Sequence, residues 1–289
     1  MSSVTERPLT SPGHGRGLLD VFRRSFLLKL IVRKELRVRY RGSVLGMAWS
    51  YVKPLTQFIV FYLALGIFLR QGDRIPNFAI YLFSGIVVMN FFSESFGNGT
   101  RCLVWNAPLI KKIYLPREVF PVASLWVAAV HFFPQLVVLL AAALITGWRP
   151  SLLGLLAAVG GFLIVVVLAL GLGLIFGAVN VFFRDSENFV DLIVMVATWG
   201  SPVLYSWGQV QDVLPAWLFW IYEANPLTAA VELFHYAFWH PGPAGFPEGT
   251  GLPPSILAST GIAVVLALAL VLVGQAVFRR LEGRFAQEI

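Results

Sequence analysis

The sequence predicts an all-α integral membrane protein: six transmembrane helices, an N-terminal cytoplasmic interface helix, and short re-entrant helices between spans five and six. Three observations carry this prediction. The 289-residue chain is 57 % hydrophobic and only 13 % charged, against about 25 % charged in ordinary soluble domains. Six runs are long and apolar enough to be read as spans, for which about 20 residues are needed. Lys and Arg are segregated: of 22 in the chain, all but Arg70, Arg74 and Arg149 fall on one side of the implied membrane. The positive-inside rule makes that side, and both termini, cytoplasmic.

These bounds divide the chain into a tail (1–17), an interface helix (18–41) and one membrane domain (42–289), with no stretch left for an aqueous core. The formal charge of +7 would suggest nucleic acid in a soluble protein. Here the basic residues flank apolar runs, so membrane lipids are the expected partner and nucleic acid is not. Cys102 is the only cysteine, which excludes an intramolecular disulfide and a multi-cysteine metal site.

The tail is rich in Pro and Gly. Over 18–41, apolar Leu19, Phe22, Phe26 and Leu30 follow helical spacing among many basic residues, and Leu28, Val32 and Leu36 form a second apolar row. This predicts a helix at the cytoplasmic surface, or one wedged between lipid and protein. It leads through Arg37, Arg39, Arg41 and Lys53 into the first span. The spans are expected at 45–69, 78–96, 119–145, 152–183, 189–205 and 255–278. Between the last two, Asn225 is a helix cap with Pro226 at the first helical position. Two short helices, 214–223 and 227–239, are expected to dip into the outer face, rich in belt aromatics such as Trp217 and Trp220. They fit either a gate or a hairpin that caps the bundle.

Chemistry is sparse. No phosphate-binding loop, zinc motif or nucleophile elbow occurs, so the chain is not read as an enzyme, and neither a metal nor ATP is expected on it. The span interiors, counted as 55–69, 78–93, 119–145, 152–183, 192–205 and 255–278, carry no Asp, Glu, Lys or Arg, which argues against ion coupling. His131 and Gln135 in span three are expected to bond a neighbouring helix rather than relay protons. Gly173 and Gly177 in span four form a small-xxx-small packing face, within the subunit or across a dimer. Asp185, Glu187 and Asp191 are read as a loop paired with Arg184. Phe58, Tyr62, Trp199 and Tyr205 offer aromatic faces and a hydroxyl rim on which sugar rings can stack, or simply lipid-facing packing. The loop through Pro108, Leu109, Ile110, Lys111, Lys112, Tyr114, Arg117 and Glu118 interleaves apolar and charged residues, suited to docking a soluble partner or to lying on lipid headgroups.

Taken together, RVRYRGSVLGMAWSYVKPL (37–55), NAPLIKKIYLPREVFP (106–121), NVFFRDSENFVDLIVMVATWGSPVLYSW (180–207) and NPLTAAVELFHYAF (225–238) resemble, in order and spacing, the permease subunits of type 2 ABC exporters for lipid-linked polysaccharides such as O-antigen, capsule and teichoic acid. The sequence departs from the family pattern at Lys53 and at 186–188. The resemblance implies a homodimer in the bacterial inner membrane. It also implies two copies of a separate ATPase subunit, which carries the ATP and Mg, and a glycan on an undecaprenyl diphosphate type lipid. By the same resemblance 108–118 is the ATPase coupling region, spans one and five line the path, and Trp217, Trp220, Asn225 and Pro226 belong to an outer gate. Arg37, Arg39, Arg41 and Lys53 become candidates for holding the diphosphate at the inner mouth, or serve as topological anchors. Drug or lipid export by the same architecture, and a polyprenyl-linked membrane glycosyltransferase, are the competing functions.

Overall fold

The computed structural model describes residues 17–113, 115–239 and 252–289, and among these every regular element is helical. The expected tail, Gly17 excepted, lies outside the described residues. Among the described residues, five helical stretches are long and apolar enough to cross a membrane: Gly46–Phe68, Phe78–Trp105, Val119–Ile145, Leu152–Phe182 and Ile256–Glu288.

Phe78–Trp105 is the axis of the bundle. Its apolar stretch is 78 % buried, because it packs on Val119–Ile145, Leu152–Phe182 and Ser186–Trp199. Glycines allow the closest approaches. A Cβ at Gly177 would sit 2.8 Å from the Gly99 carbonyl oxygen, and one at Gly274 would sit 2.6 Å from that of Gly171. The small-residue face of Leu152–Phe182 is therefore spent inside the subunit, on Phe78–Trp105 and Ile256–Leu281.

The first span is the opposite case. Only 6 % of its apolar stretch is buried. Pro54 interrupts its helix Trp49–Phe61, which continues as a π-helix over Tyr62–Phe68. Pro54 has no N–H to give to the carbonyl four residues back, that of Ser50.

The segment expected as one interface helix is two, Leu18–Arg23 and Ser25–Arg39, broken at Arg24. Leu28 and Ile31 are buried against the bundle, whereas Phe26 and Leu30 are exposed. Leu28 of the second apolar row thus faces protein, with Val32 and Leu36 half-buried, whereas Phe26 and Leu30 of the first face outward.

The fifth expected span is shorter than the sequence predicts. Its helix, Ser186–Trp199, has 14 residues, about 21 Å at 1.5 Å per residue, and 200–205 is not helical. The segment nevertheless covers a longer distance. Glu187 pairs with Arg101 and the carbonyls of Pro202 and Tyr205 accept from Tyr81 Oη. Tyr81 and Arg101 lie about 30 Å apart along their common helix.

Beyond it, Ser206 and Gln209 form a capping box that opens an unexpected short helix, Trp207–Gln211. The two expected short helices follow as Ala216–Glu223 and Pro226–Phe234, the second continuing as a π-helix over His235–Trp239. Asn225 Oδ1 accepts from Leu227 N at 3.0 Å, as the Asn-Pro pair predicts. The two helices differ in setting: Trp217, Trp220 and Ile221 are exposed, whereas Leu227–Glu232 and Phe234 are buried between the long helices. The second is a core element rather than a peripheral cap.

Candidate functional site

Where the interface helix meets the first span, an open polar cleft of about 720 Å³ cuts into the bundle. Its wall combines two cations, Arg39 and Lys53, an indole, Trp49, and a set of hydroxyls and amides that includes Ser50, Gln57, Asn90, Ser93 and Gln135. Glu94 and His131 close its inner side. The sequence reading ends the charge-free interior of span two at 93. The structure places Glu94 one residue further, in the middle of Phe78–Trp105 and on the cleft wall.

These groups form one network. Arg39 donates to Glu94, its guanidinium lies 3.0 Å from His131 Nδ1, and it reaches Asn98 Oδ1 at 3.4 Å. His131 Nδ1 is 2.5 Å from Glu94 Oε1 and its Nε2 is 2.7 Å from Tyr40 Oη, which also contacts Ser50 Oγ at 3.1 Å. An ionised carboxylate only accepts, so Nδ1–H donates to Glu94 and Nε2 is left to accept from Tyr40. Gln135 joins by donating to the His131 carbonyl at 3.1 Å, and its own Oε1 accepts from Asn90 at 3.3 Å. His131 and Gln135 therefore bond neighbouring helices, as expected. A second tie lies lower on the interface helix, where Lys34 reaches Asn106 Oδ1 at 2.5 Å and Asn106 donates to Glu35 at 3.0 Å.

Of the four cations expected at the inner mouth, Arg39 and Lys53 line the cleft, whereas Arg37 and Arg41 are exposed and do not. An anion in the cleft meets a guanidinium with forked donors and a point-charge ammonium. The indole, amides and hydroxyls beside them are the groups that hold sugar rings and their hydroxyls.

The aromatic candidates fall into a chain. Phe58 stacks on Tyr62 (5.6 Å between centroids), Tyr62 on Phe78 (6.3 Å) and Phe78 on Tyr81 (6.3 Å). Tyr81 then holds the Tyr205 carbonyl, and Tyr205 Oη donates to the Trp199 carbonyl. Phe58, Tyr62 and Tyr205 are half-buried and Trp199 is exposed. The row thus runs from the first span to the break after Ser186–Trp199 by way of Phe78 and Tyr81, two residues that sequence reasoning did not single out.

The expected docking loop divides. Pro108, Lys111 and Lys112 are exposed, Leu109 is half-buried and Ile110 is buried; Tyr114 lies outside the described residues. Arg117 and Glu118 turn inward. Arg117 donates to the Glu282 carbonyl and sits 5.7 Å from the Phe285 ring centre, and buried Glu118 accepts from Gln275 at 3.2 Å. They clamp the end of the last long helix, leaving Ala107–Lys112 as the surface part. The acidic cluster is also reassigned: Glu187 (2.9 Å) and Asp191 (3.3 Å) pair with Arg101 rather than Arg184. Spaced four apart on Ser186–Trp199, they share the face turned to Phe78–Trp105.

Comparison with known proteins agrees with this architecture. Residues 27–239 match the ABC-2 type transporter family. An O-antigen export system permease protein RfbA of Klebsiella pneumoniae is 32 % identical over 265 residues, 90 % of this chain and 94 % of that protein. The RfbA protein of Myxococcus xanthus is 28 % identical over 264 residues, covering 91 % and 95 %. The polysialic acid transport protein KpsM of Escherichia coli is 21 % identical over 223 residues, covering 76 % and 82 %. A family match over most of the chain, carried by a bundle of long apolar helices, establishes that this is a multi-pass membrane protein of the ABC-2 type transporter family.

Proposed function

We propose that the chain is the permease subunit of an ATP-driven exporter that carries a polysaccharide, attached to a polyprenyl diphosphate type lipid, across the bacterial inner membrane. It works as a homodimer with two copies of an ATPase subunit, which hold the ATP and Mg. The observation that carries this reading is the cleft: Arg39 and Lys53 stand beside Trp49 and a wall of amides and hydroxyls. A diphosphate needs the first set of groups and a sugar the second.

In this reading the headgroup is held by Arg39 and Lys53, with Arg37 and Arg41 supplying field at the mouth. The barely buried first span and the segment 186–205, taken as the fifth of six crossings, line the passage through Phe58, Tyr62, Trp199 and Tyr205. Trp217 and Trp220, with the capped turn at Asn225 and Pro226, stand at the outer end. Pro108 to Lys112 receive the ATPase, and Arg117 and Glu118 support that surface from behind. Both termini stay cytoplasmic.

The test is ATP hydrolysis by the permease reconstituted with the ATPase encoded beside it. Lipid-linked glycan should stimulate hydrolysis in the wild type. Arg39→Gln and Lys53→Gln should remove the stimulation while basal hydrolysis and complex assembly persist. Full stimulation in the double variant would refute the cleft as the binding site, and stimulation by drugs but not by glycan lipid would refute the substrate class.

A further inference from the structure

The cleft presents its two cations in different states. Lys53 forms no ion pair among the described residues. Arg39 is already occupied by Glu94, the one carboxylate on the cleft wall. We propose that Glu94 is a resident competitor for Arg39: an anionic headgroup entering the cleft takes the guanidinium from Glu94, and this exchange loosens the C-terminal end of the interface helix where it meets the bundle. The proposal rests on the reading that an anionic headgroup binds in this cleft.

Three features support an exchange rather than a fixed strut. Glu94 keeps partners when Arg39 leaves, since His131 Nδ1 is at 2.5 Å and Asn98 Nδ2 at 3.5 Å. The carboxylate is therefore not stranded, which would otherwise be the main cost of breaking the pair. The arginine gains by the change, because a phosphate accepts two parallel N–H bonds from one guanidinium. The position also suits a release device. Arg39 is the last residue of Ser25–Arg39, while Glu94 and His131 belong to Phe78–Trp105 and Val119–Ile145. Moving one side chain thus removes one polar tie at the end of the interface helix, leaving Tyr40 on His131, the Lys34–Asn106–Glu35 tie and buried Leu28 and Ile31 to hold the rest. Glu94 acts through Arg39 and is a positioning residue.

The experiment measures binding of radiolabelled farnesyl diphosphate to the purified full chain in detergent, with farnesol and inorganic pyrophosphate as competitors. Glu94→Gln should tighten binding by roughly 1.5- to fivefold, the factor that releasing one partly exposed ion pair supplies. The gain should vanish in Arg39→Gln, because no guanidinium is left to release. Spin labels at exposed Arg33 and Trp126 should move apart when the probe binds, and should start apart in Glu94→Gln; buried Cys102 does not take up label. If Glu94→Gln does not yield folded protein, Glu94→Asp, which draws the carboxylate back from Arg39, should shift affinity the same way.

Unchanged or weaker binding in folded Glu94→Gln or Glu94→Asp, while Arg39→Gln and Lys53→Gln still lose the probe, overturns the competitor role and leaves the functional reading standing. A gain that persists without Arg39 also overturns it, since Glu94 would then act by general repulsion of anions. Binding that neither Arg39→Gln nor Lys53→Gln affects overturns the functional reading itself.

Discussion

Alanine at Gly274 and at Gly261 should have opposite effects, although both glycines lie inside Ile256–Leu281. A Cβ at Gly274 would lie 2.6 Å from the Gly171 carbonyl oxygen and 3.2 Å from Leu174 Cβ, whereas one at Gly261 meets nothing within 4 Å. Ordinary contact begins at 3.4 Å. The obstacle at Gly274 is backbone, which cannot rotate aside, so the two helices must part by about 0.8 Å and forfeit contacts along their seam. The penalty is about 1–3 kcal/mol, partly offset by alanine's better helix propensity of about 1 kcal/mol. That propensity acts alone at Gly261. The net loss at Gly274 is up to about 2 kcal/mol, so at about 2–4 °C per kcal/mol Gly274→Ala should melt up to about 8 °C below wild type, and about 2–12 °C below Gly261→Ala, for the purified chain in a fixed detergent. Gly261→Ala should leave the melting temperature unchanged or raise it. Gly171→Ala, whose Cβ would sit 2.7 Å from the Leu270 carbonyl carbon, should repeat the loss, and the Gly171/Gly274 double variant should lose less than the sum, because one parting of the helices serves both. Equal melting of Gly274→Ala and Gly261→Ala would show that the seam is not packed as described.

Other expectations concern the site and its supports. Arg101→Ala should release Ser186–Trp199 from Phe78–Trp105 at a cost of about 1 kcal/mol, read as faster amide exchange confined to 186–199; unchanged protection there counts against the pairing with Glu187 and Asp191. Tyr81→Phe keeps the ring on His235 but removes the hydroxyl that serves the Pro202 and Tyr205 carbonyls at 2.8 Å each. It should destabilise the chain by about 1–3 kcal/mol and expose 200–206 to protease, and a wild-type digestion pattern would exclude that role. Asn225→Ala should cost about 0.5–2 kcal/mol through loss of the cap, seen as a lower melting temperature that Asn225→Asp largely restores. Charge reversal at Lys111 and Lys112 should cut co-purification with the ATPase subunit and leave the melting temperature of the chain itself alone; intact co-purification would move the docking surface elsewhere.

What could be read from the sequence was what depends on local pattern. Apolar run length and the asymmetry of Lys and Arg indicated the long helices and the basic collar, and Asn225 before Pro226 marked a helix start that the structure reproduces within a residue or two. What could not be read depends on which distant residues meet. Glu94 stands at the edge of an apolar run, and its partners Arg39 and His131 belong to other elements. The signal that would have found it was periodic: Asn90, Glu94 and Asn98 recur every fourth residue, a polar stripe along one face of an otherwise apolar helix. Glu118 misled for a related reason. Its setting among basic residues suggests a surface, and only the fold of the last helix back onto 117–118 reveals that it is buried. The fifth span misled because its apolar run was followed past Gly200, Ser201 and Pro202, turn-forming residues that mark where the helix stops.

The uneven burial of the spans has a consequence for the order in which the chain is made. The first span leaves the insertion machinery before either of the long helices it packs on, Phe78–Trp105 and Val119–Ile145, exists, and even in the finished subunit its own chain covers little of it. The axis, Phe78–Trp105, comes next and must wait in lipid, with Glu94 and Arg101 unmatched from the C-terminal side, until Val119–Ile145 brings His131 and Ser186–Trp199 brings Glu187. The glycine seam closes last of all, when Ile256–Leu281 arrives to meet Gly171. Nascent chains stopped before 186 therefore carry an arginine in search of its carboxylates, and a membrane chaperone or insertase that shields polar groups would find its client at that stage of synthesis.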